Sequence, residues 1–221
     1  HPQEKNIYAY ARNNPLTYVD PSGLEVMVKT VEDRPGHRRT DIKISGVLLD
    51  ESSKRLSRDQ LQSVISRIAA QVHGDFSGHG DRQSWSTTVH LRIAKSAADI
   101  KPSDHVIKLV DFVPAQPDTD PRAIVLGDAE RGGKQIRIRA DLVGKRPYAD
   151  GRASSLEAVV SHELGHTLGL RHETDSGNPL RDKMGGQNLM RAVDKAPRGT
   201  QINVHQIREI QRLNDAGELN R

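Results

Sequence analysis

Cysteine is absent from the 221 residues, which excludes disulfides, thiolate-held zinc, iron–sulfur clusters and thiol catalysis together. Aromatic side chains are scarce: seven in all, of which Tyr8, Tyr10 and Tyr18 fall in the first 24 residues. No run approaches the roughly 20 apolar residues of a membrane-spanning helix. With 28% charged residues and a mean hydropathy of −0.67, the chain reads as polar, and no membrane partner is expected. It begins at His1 rather than Met and lacks a charged-then-apolar leader, which reads as a fragment or a processed product. The length fits one globular domain plus an appendage.

The clustered tyrosines mark the first composition shift. Residues 6–24 alternate aromatic and small side chains and then pass through Asn13-Asn14-Pro15 and Asp20-Pro21-Ser22-Gly23, which reads as strand, turn, strand, turn. Ending in Asp-Pro-Ser-Gly-Leu, this stretch resembles the end of an RHS-repeat core, where a tyrosine-rich repeat finishes just before a variable C-terminal toxin. The resemblance implies residues 1–24 as the end of an RHS core and 25–221 as a toxin domain. It also implies a self-cleavage junction between Leu24 and Glu25, with Asp20 in the cleavage motif. The opening segment is charge-balanced, so the formal net charge of +4 belongs to the remainder.

From Glu25 onward strand and helix signals mix. Val26 and Val28, then Ile42 and Ile44, alternate on either side of a polar stretch with Pro35-Gly36, predicting a hairpin with a long loop. Ser57 with Gln60 forms a capping box ahead of Leu61, Val64, Ile65, Ile68 and Val72 on one helix face. Trp85, Thr87, Val89, Leu91 and Ile93 alternate with polar residues as a half-buried strand. Shorter strands are expected at 105–113, 123–127 and 134–140. A second helix is expected from Ser154, capped with Glu157. A third is expected near 203–215, with Val204, Ile207, Ile210 and Leu213 on a stripe and Gly217 as its stop.

Residues 162–172 read His-Glu-Leu-Gly-His-Thr-Leu-Gly-Leu-Arg-His. On a helix, His162 and His166 project from one face one turn apart and can share one metal ion. Glu163 is turned by about 100° from His162, which places its carboxylate beside the metal, where a base acts on metal-activated water. Gly169 tolerates the left-handed conformation that ends a helix, so the chain can turn and return His172 as a third ligand. Three imidazole nitrogens leave a fourth tetrahedral position open, the arrangement of catalytic rather than structural Zn2+. Leu156, Val160, Leu164 and Leu168 recur every four residues on the opposite side, anchoring the helix in a core. Five fixed positions of this kind arise by chance with a frequency of order 10⁻⁴ in a chain this long.

This eleven-residue pattern resembles the metzincin zinc-peptidase signature, with His162, Glu163, His166, Gly169 and His172 in matching positions. The resemblance implies an α+β, zincin-like fold: a mixed twisted sheet, a backing helix, an active-site helix, a Met-turn and a C-terminal helix. Asn188-Leu189-Met190 looks like the Met-turn, with Met184 as the competing choice. Glu173 resembles the astacin-like branch, but Ala192 stands where that branch places a tyrosine, so no tyrosine ligand is expected. In the implied mechanism Glu163 takes a proton from the attacking water and delivers it to the leaving amine, and Tyr148 and Arg191 are candidates for a second oxyanion donor.

Three other features of the sequence stand beside this one. His37, His73, His79, His90, His105 and His205 lack mutual ligand spacing and read as surface or satisfied histidines. Asp175, Asn178 and Asp182 miss the EF-hand spacing, so calcium is not expected. Arg131, Lys134, Arg137, Arg139, Lys145 and Arg146, opposed by Asp141, give a net +5 over sixteen residues in a chain of pI about 9.4. No aromatic is interleaved to stack bases, so a solvated strand face or a surface for an acidic partner is preferred to nucleic acid.

The leading expectation is therefore a zinc metalloendopeptidase serving as the C-terminal toxin of an RHS protein. The RHS resemblance implies a secreted effector, delivered into a target cell by type VI secretion or a similar route. A protein substrate there, a cognate immunity protein and the upstream RHS core cage would be its partners. The alternatives are a nucleic-acid-targeting toxin, a non-catalytic binding module of the cage, and a zinc hydrolase acting on a cell-wall amide.

Overall fold

The computed structural model describes residues 26–115, 124–145, 155–183, 188–190 and 200–219. The RHS-like segment with Asp20, Leu24 and Glu25 lies outside them, as do Arg146, Tyr148, Ser154, Met184, Arg191 and Ala192.

Among the described residues, seven strands form one mixed sheet. Strands β1 (Met27–Arg34) and β2 (His37–Asp50) make the expected hairpin, but without the long loop. Pairing runs up to Arg34 opposite His37, and Gly36 supplies the positive φ of 74° that the two-residue turn requires. The polar stretch is strand because β1 is largely exposed and has no apolar face to show in sequence. At 14 residues, β2 spans the sheet. Strand β4 (Gln83–Ala94) runs parallel to it along one edge, while its other edge is shared by β1 and β5 (His105–Val110).

Beyond β5 lie β7 (Gln135–Arg139), parallel, and then the short antiparallel β6 (Gly127–Ala129), with β3 (Gly78–Gly80) flanking β4 at the other side. Two expected strands shift. The one sought at 123–127 is β6, centred on Asp128, and the one sought at 105–113 ends at Val110. Three-residue β6 is set by its partner rather than by propensity. Gly127 lies under Ile138 and Val159, where a Cβ would overlap both side chains.

Helix α1 (Arg58–Asp75) starts at the expected capping box of Ser57 and Gln60. It backs the sheet at β4 and packs on α2 (Leu156–Thr167), which in turn sits on β6 and β7. The cap of α2 is Ser155, not Ser154: the Ser155 hydroxyl accepts from the Ala158 N–H at 3.2 Å. Helix α3 (Val204–Asp215) is capped by Asn203 and is followed by Gly217 at φ 66°. The main core joins Ile42, Ile44 and Leu48 of β2 with Val64 and Ile68 of α1 and with Leu156, Val160 and Leu164 of α2. Each such Leu, Ile or Val contributes roughly 1.5–3 kcal/mol on burial. On the opposite sheet face Val47, Leu49, Ala94 and Val106 make a smaller cluster. The architecture is thus mixed α+β, with α2 held rigidly between sheet and α1.

Candidate metal centre

Helix α2 ends in a Schellman motif. The Leu170 N–H donates to Gly165 O at 2.9 Å and the Gly169 N–H to His166 O at 2.8 Å, while Gly169 takes φ 84°. This sharp reversal is what returns His172 toward the helix it has just left. His172 Nε2 lies 3.1 Å from both His162 Nε2 and His166 Nε2.

The opposite nitrogens of the two helical rings are fixed by the backbone. His162 Nδ1 is 2.8 Å from Leu189 O, and His166 Nδ1 is 2.9 Å from Leu170 O. A carbonyl only accepts, so each Nδ1 carries the proton and each Nε2 presents a lone pair. Two such lone pairs meet His172 Nε2 at 3.1 Å, and with His172 in the same tautomer all three are directed at a point a cation can occupy. Tetrahedral zinc with Zn–N bonds of about 2.0–2.1 Å sets its nitrogen ligands about 3.3 Å apart, so the spacing fits that ion. Among the described residues this is the one group of three or more metal-capable side chains close enough to share a metal.

Glu163 is next in the chain and nearly buried, at 5% exposure. His162 is also buried, and His166 and His172 are half-buried, so the centre opens to solvent on one side. Beneath it, Met190 is fully buried and packs on the helix at Gly165, where a Cβ would overlap its sulfur. Residues 188–190 are sewn to the chain ahead of α3. Leu189 N–H donates to Gln201 O at 3.0 Å, and Asn188 Oδ1 accepts from the Met190 N–H at 3.0 Å and from Gln206 Nε2 at 2.8 Å. The same turn returns to the third histidine, as the Glu173 N–H donates to Met190 O at 3.0 Å.

Behind His162, the Ser161 hydroxyl donates to Asp75 Oδ2 of α1 at 2.5 Å, and Gln71 Nε2 donates to Asp75 Oδ1 at 2.8 Å. Burial pushes the Asp75 carboxyl above its ordinary range, and these two bonds pull the other way. On α2 Glu157 meets Arg67 of α1 at 2.6 Å. Burial raises its carboxyl, but the Arg67 guanidinium, its own backbone N–H and the Ser155 hydroxyl together outweigh it, and the net shift is downward.

Sequence reasoning missed Gly165, Asp75 and Ser161. Gly165 left a signal: an isolated glycine inside a helix costs about 1 kcal/mol relative to alanine and asks for a packing reason. Asp75 and Ser161 meet across 86 residues of chain, and their pairing left none.

The basic stretch of β7 is resolved differently. Arg137 makes a bidentate pair with Asp128 across the β6–β7 ladder. Arg139 does the same with Asp141, to which Lys145 Nζ also donates at 2.8 Å. Two of the arginines are therefore paired within the chain, Asp128 adding one negative charge to that of Asp141. No helix among the described residues is long and apolar enough to cross a membrane.

No protein-family model and no curated protein matches the sequence. Among solved structures the chain is similar to an archaemetzincin from Archaeoglobus fulgidus complexed with malonate. That match has 14% identity over 75% of this chain and 99% of the other, with a TM-score of 0.42. It is also similar to a chain of a chaperone–substrate complex, at 11% identity over 83% of this chain and 37% of that one, with a TM-score of 0.41. At TM-scores this low neither likeness decides the fold or the activity.

Proposed function

We propose that this chain is a zinc-dependent metalloendopeptidase, with His162, His166 and His172 as metal ligands and Glu163 as general base. The observation that carries this reading is the convergence of three imidazole Nε2 atoms, two of them held by carbonyl-anchored Nδ1–H groups. The three imidazoles would hold a zinc ion that, when bound, would supply Lewis acidity to polarise the scissile carbonyl and to acidify water beside Glu163. The Glu163 carboxylate accepts the proton of the attacking water and hands it to the leaving amine. Met190 plays the part of the Met-turn residue, a methionine floor that keeps α2 from sinking toward α3.

In this reading the peptidase is the toxin of an RHS protein, cut from its core between Leu24 and Glu25, delivered into a target cell and restrained at home by an immunity protein. The support for that role is the Asp20-Pro21-Ser22-Gly23-Leu24 signature directly before the aromatic-poor domain.

Wild type and Glu163→Ala expressed in a sensitive cell, with the new protein N-termini compared, test both statements. The variant is expected to keep stoichiometric zinc and lose cleavage by about 10²–10⁴-fold, and toxicity with it. Undiminished cleavage by Glu163→Ala overturns the mechanism. Nucleic-acid degradation indifferent to Glu163 overturns the substrate class.

A further inference from the structure

The loop after the third histidine carries Asp175 and Asn178, oxygen-bearing residues that suggest a cation loop. Their polar atoms turn inward instead, onto His172. Asp175 Oδ2 accepts the His172 N–H at 2.9 Å, while Asp175 Oδ1 stands 3.5 Å from His172 Nδ1. Asn178 Nδ2 donates to the His172 carbonyl at 2.8 Å, and the Asp175 N–H donates to the same oxygen at 3.2 Å. Asn178 Oδ1 is meanwhile engaged by the Leu180 N–H at 2.9 Å. His172 is thus hydrogen-bonded at its amide and its carbonyl, with a carboxylate oxygen 3.5 Å behind its ring.

The three histidines differ in a way that gives this grip a purpose. His162 and His166 stand on a helix and are backed by neutral carbonyls. His172 stands on a loop, where backbone freedom must be removed by other means, and it is backed by a carboxylate. Groups behind a metal-bound imidazole fix its tautomer and orientation, and a negative one favours a cation on the far nitrogen.

We propose that Asp175 is a positioning residue for the metal centre: its carboxylate orients His172 and, with Asn178 bracing the loop, sets how tightly the site holds zinc. The inference rests on the zinc reading of the three histidines. Loss of such a partner typically weakens metal binding 10–100-fold, and the half-exposed pair places Asp175 near the lower end.

The test is the zinc dissociation constant of the purified chain, measured by competition with a chromophoric chelator, together with the visible spectrum of the cobalt-substituted protein. Asp175→Asn keeps an oxygen for the His172 N–H and removes only the charge. It is expected to weaken zinc about tenfold, to shift the cobalt bands and to leave the melting temperature of the metal-free chain unchanged. Asp175→Ala loses both contacts and is expected to weaken zinc further. Asp175→Asn binding zinc as tightly as wild type, with unshifted cobalt bands, overturns the proposal and leaves Asp175 a loop cap. Failure of the parent reading looks different: wild type takes up no zinc, or His172→Ala holds it as well as wild type does.

Discussion

Helix α2 packs against β7, so the two imidazoles of α2 and the guanidinium groups of β7 belong to adjoining elements, and their nitrogens are answered in opposite ways. Arg137 and Arg139 each meet a carboxylate inside the chain. Their charge is met locally, by Asp128 across the β6–β7 ladder and by Asp141 in the turn that follows β7. His162 and His166 meet neutral carbonyls on one ring nitrogen, which fixes the ring and leaves the other lone pair directed at a common point. A dense cluster of basic residues in sequence therefore says little about a ligand until its partners are known. Two ring nitrogens anchored on their outer sides, with a third brought to the same point, are arranged to share a metal ion.

The comparison can be broken first at the floor of the histidine cluster. In an open helix interior Gly→Ala gains about 1 kcal/mol. At Gly165 the added Cβ overlaps the Met190 sulfur, so Gly165→Ala is expected to cost about 1–3 kcal/mol, read by denaturant unfolding of the metal-free chain. A neutral or stabilised variant means that α2 is not seated on Met190.

The next effect sharpens the electrostatic side. Burial holds the Asp75 carboxyl above its ordinary range, so the folded state favours its protonated form. Its stabilising contribution is complete below the unfolded value of about 3.9 and fades as pH rises through the folded value. Relative to Asp75→Asn, wild type should lose stability as pH rises above about 4, measured by urea unfolding across the acid-to-neutral range. Parallel pH profiles of the two proteins would show that this carboxyl does not feel its burial beside Ser161.

The smallest effect is expected at β7. Arg137→Ala removes a partly exposed pair and should cost less than about 1 kcal/mol, with the salt dependence of any DNA or RNA retention unchanged. A variant that loses salt-dependent nucleic-acid binding would put the guanidinium row back among functional surfaces.

Much of the helical structure was legible in sequence because helices announce themselves locally. The Ser57–Gln60 box, the stripe of Leu61 to Val72, and the four-residue recurrence of Leu156 to Leu168 all sit where the 3.6-residue period puts them. The strands were less so. Exposed β1 has no buried face to pattern, and β6 is three residues long and exists through its pairing with β7. The reversal at Gly169 was legible because only a residue without a side chain takes that conformation easily. The partners of the histidines were not, since every residue carries a carbonyl and nothing in sequence marks those of Leu170 and Leu189 as acceptors.

The sequence by itself determined the donor set and its order: two imidazoles one helical turn apart, a carboxylate beside them, a glycine to reverse the chain and a third imidazole beyond it, in a chain without cysteine. Those follow from helix periodicity and from glycine's freedom at positive φ. Only the tertiary structure decided which nitrogen of each ring faces inward, what lies under the helix and what holds the third histidine. The first two depend on groups brought from elsewhere in the fold, a carbonyl 27 residues from His162 and a methionine beneath Gly165; the third depends on a local turn that folds the Asp175 carboxylate back onto His172.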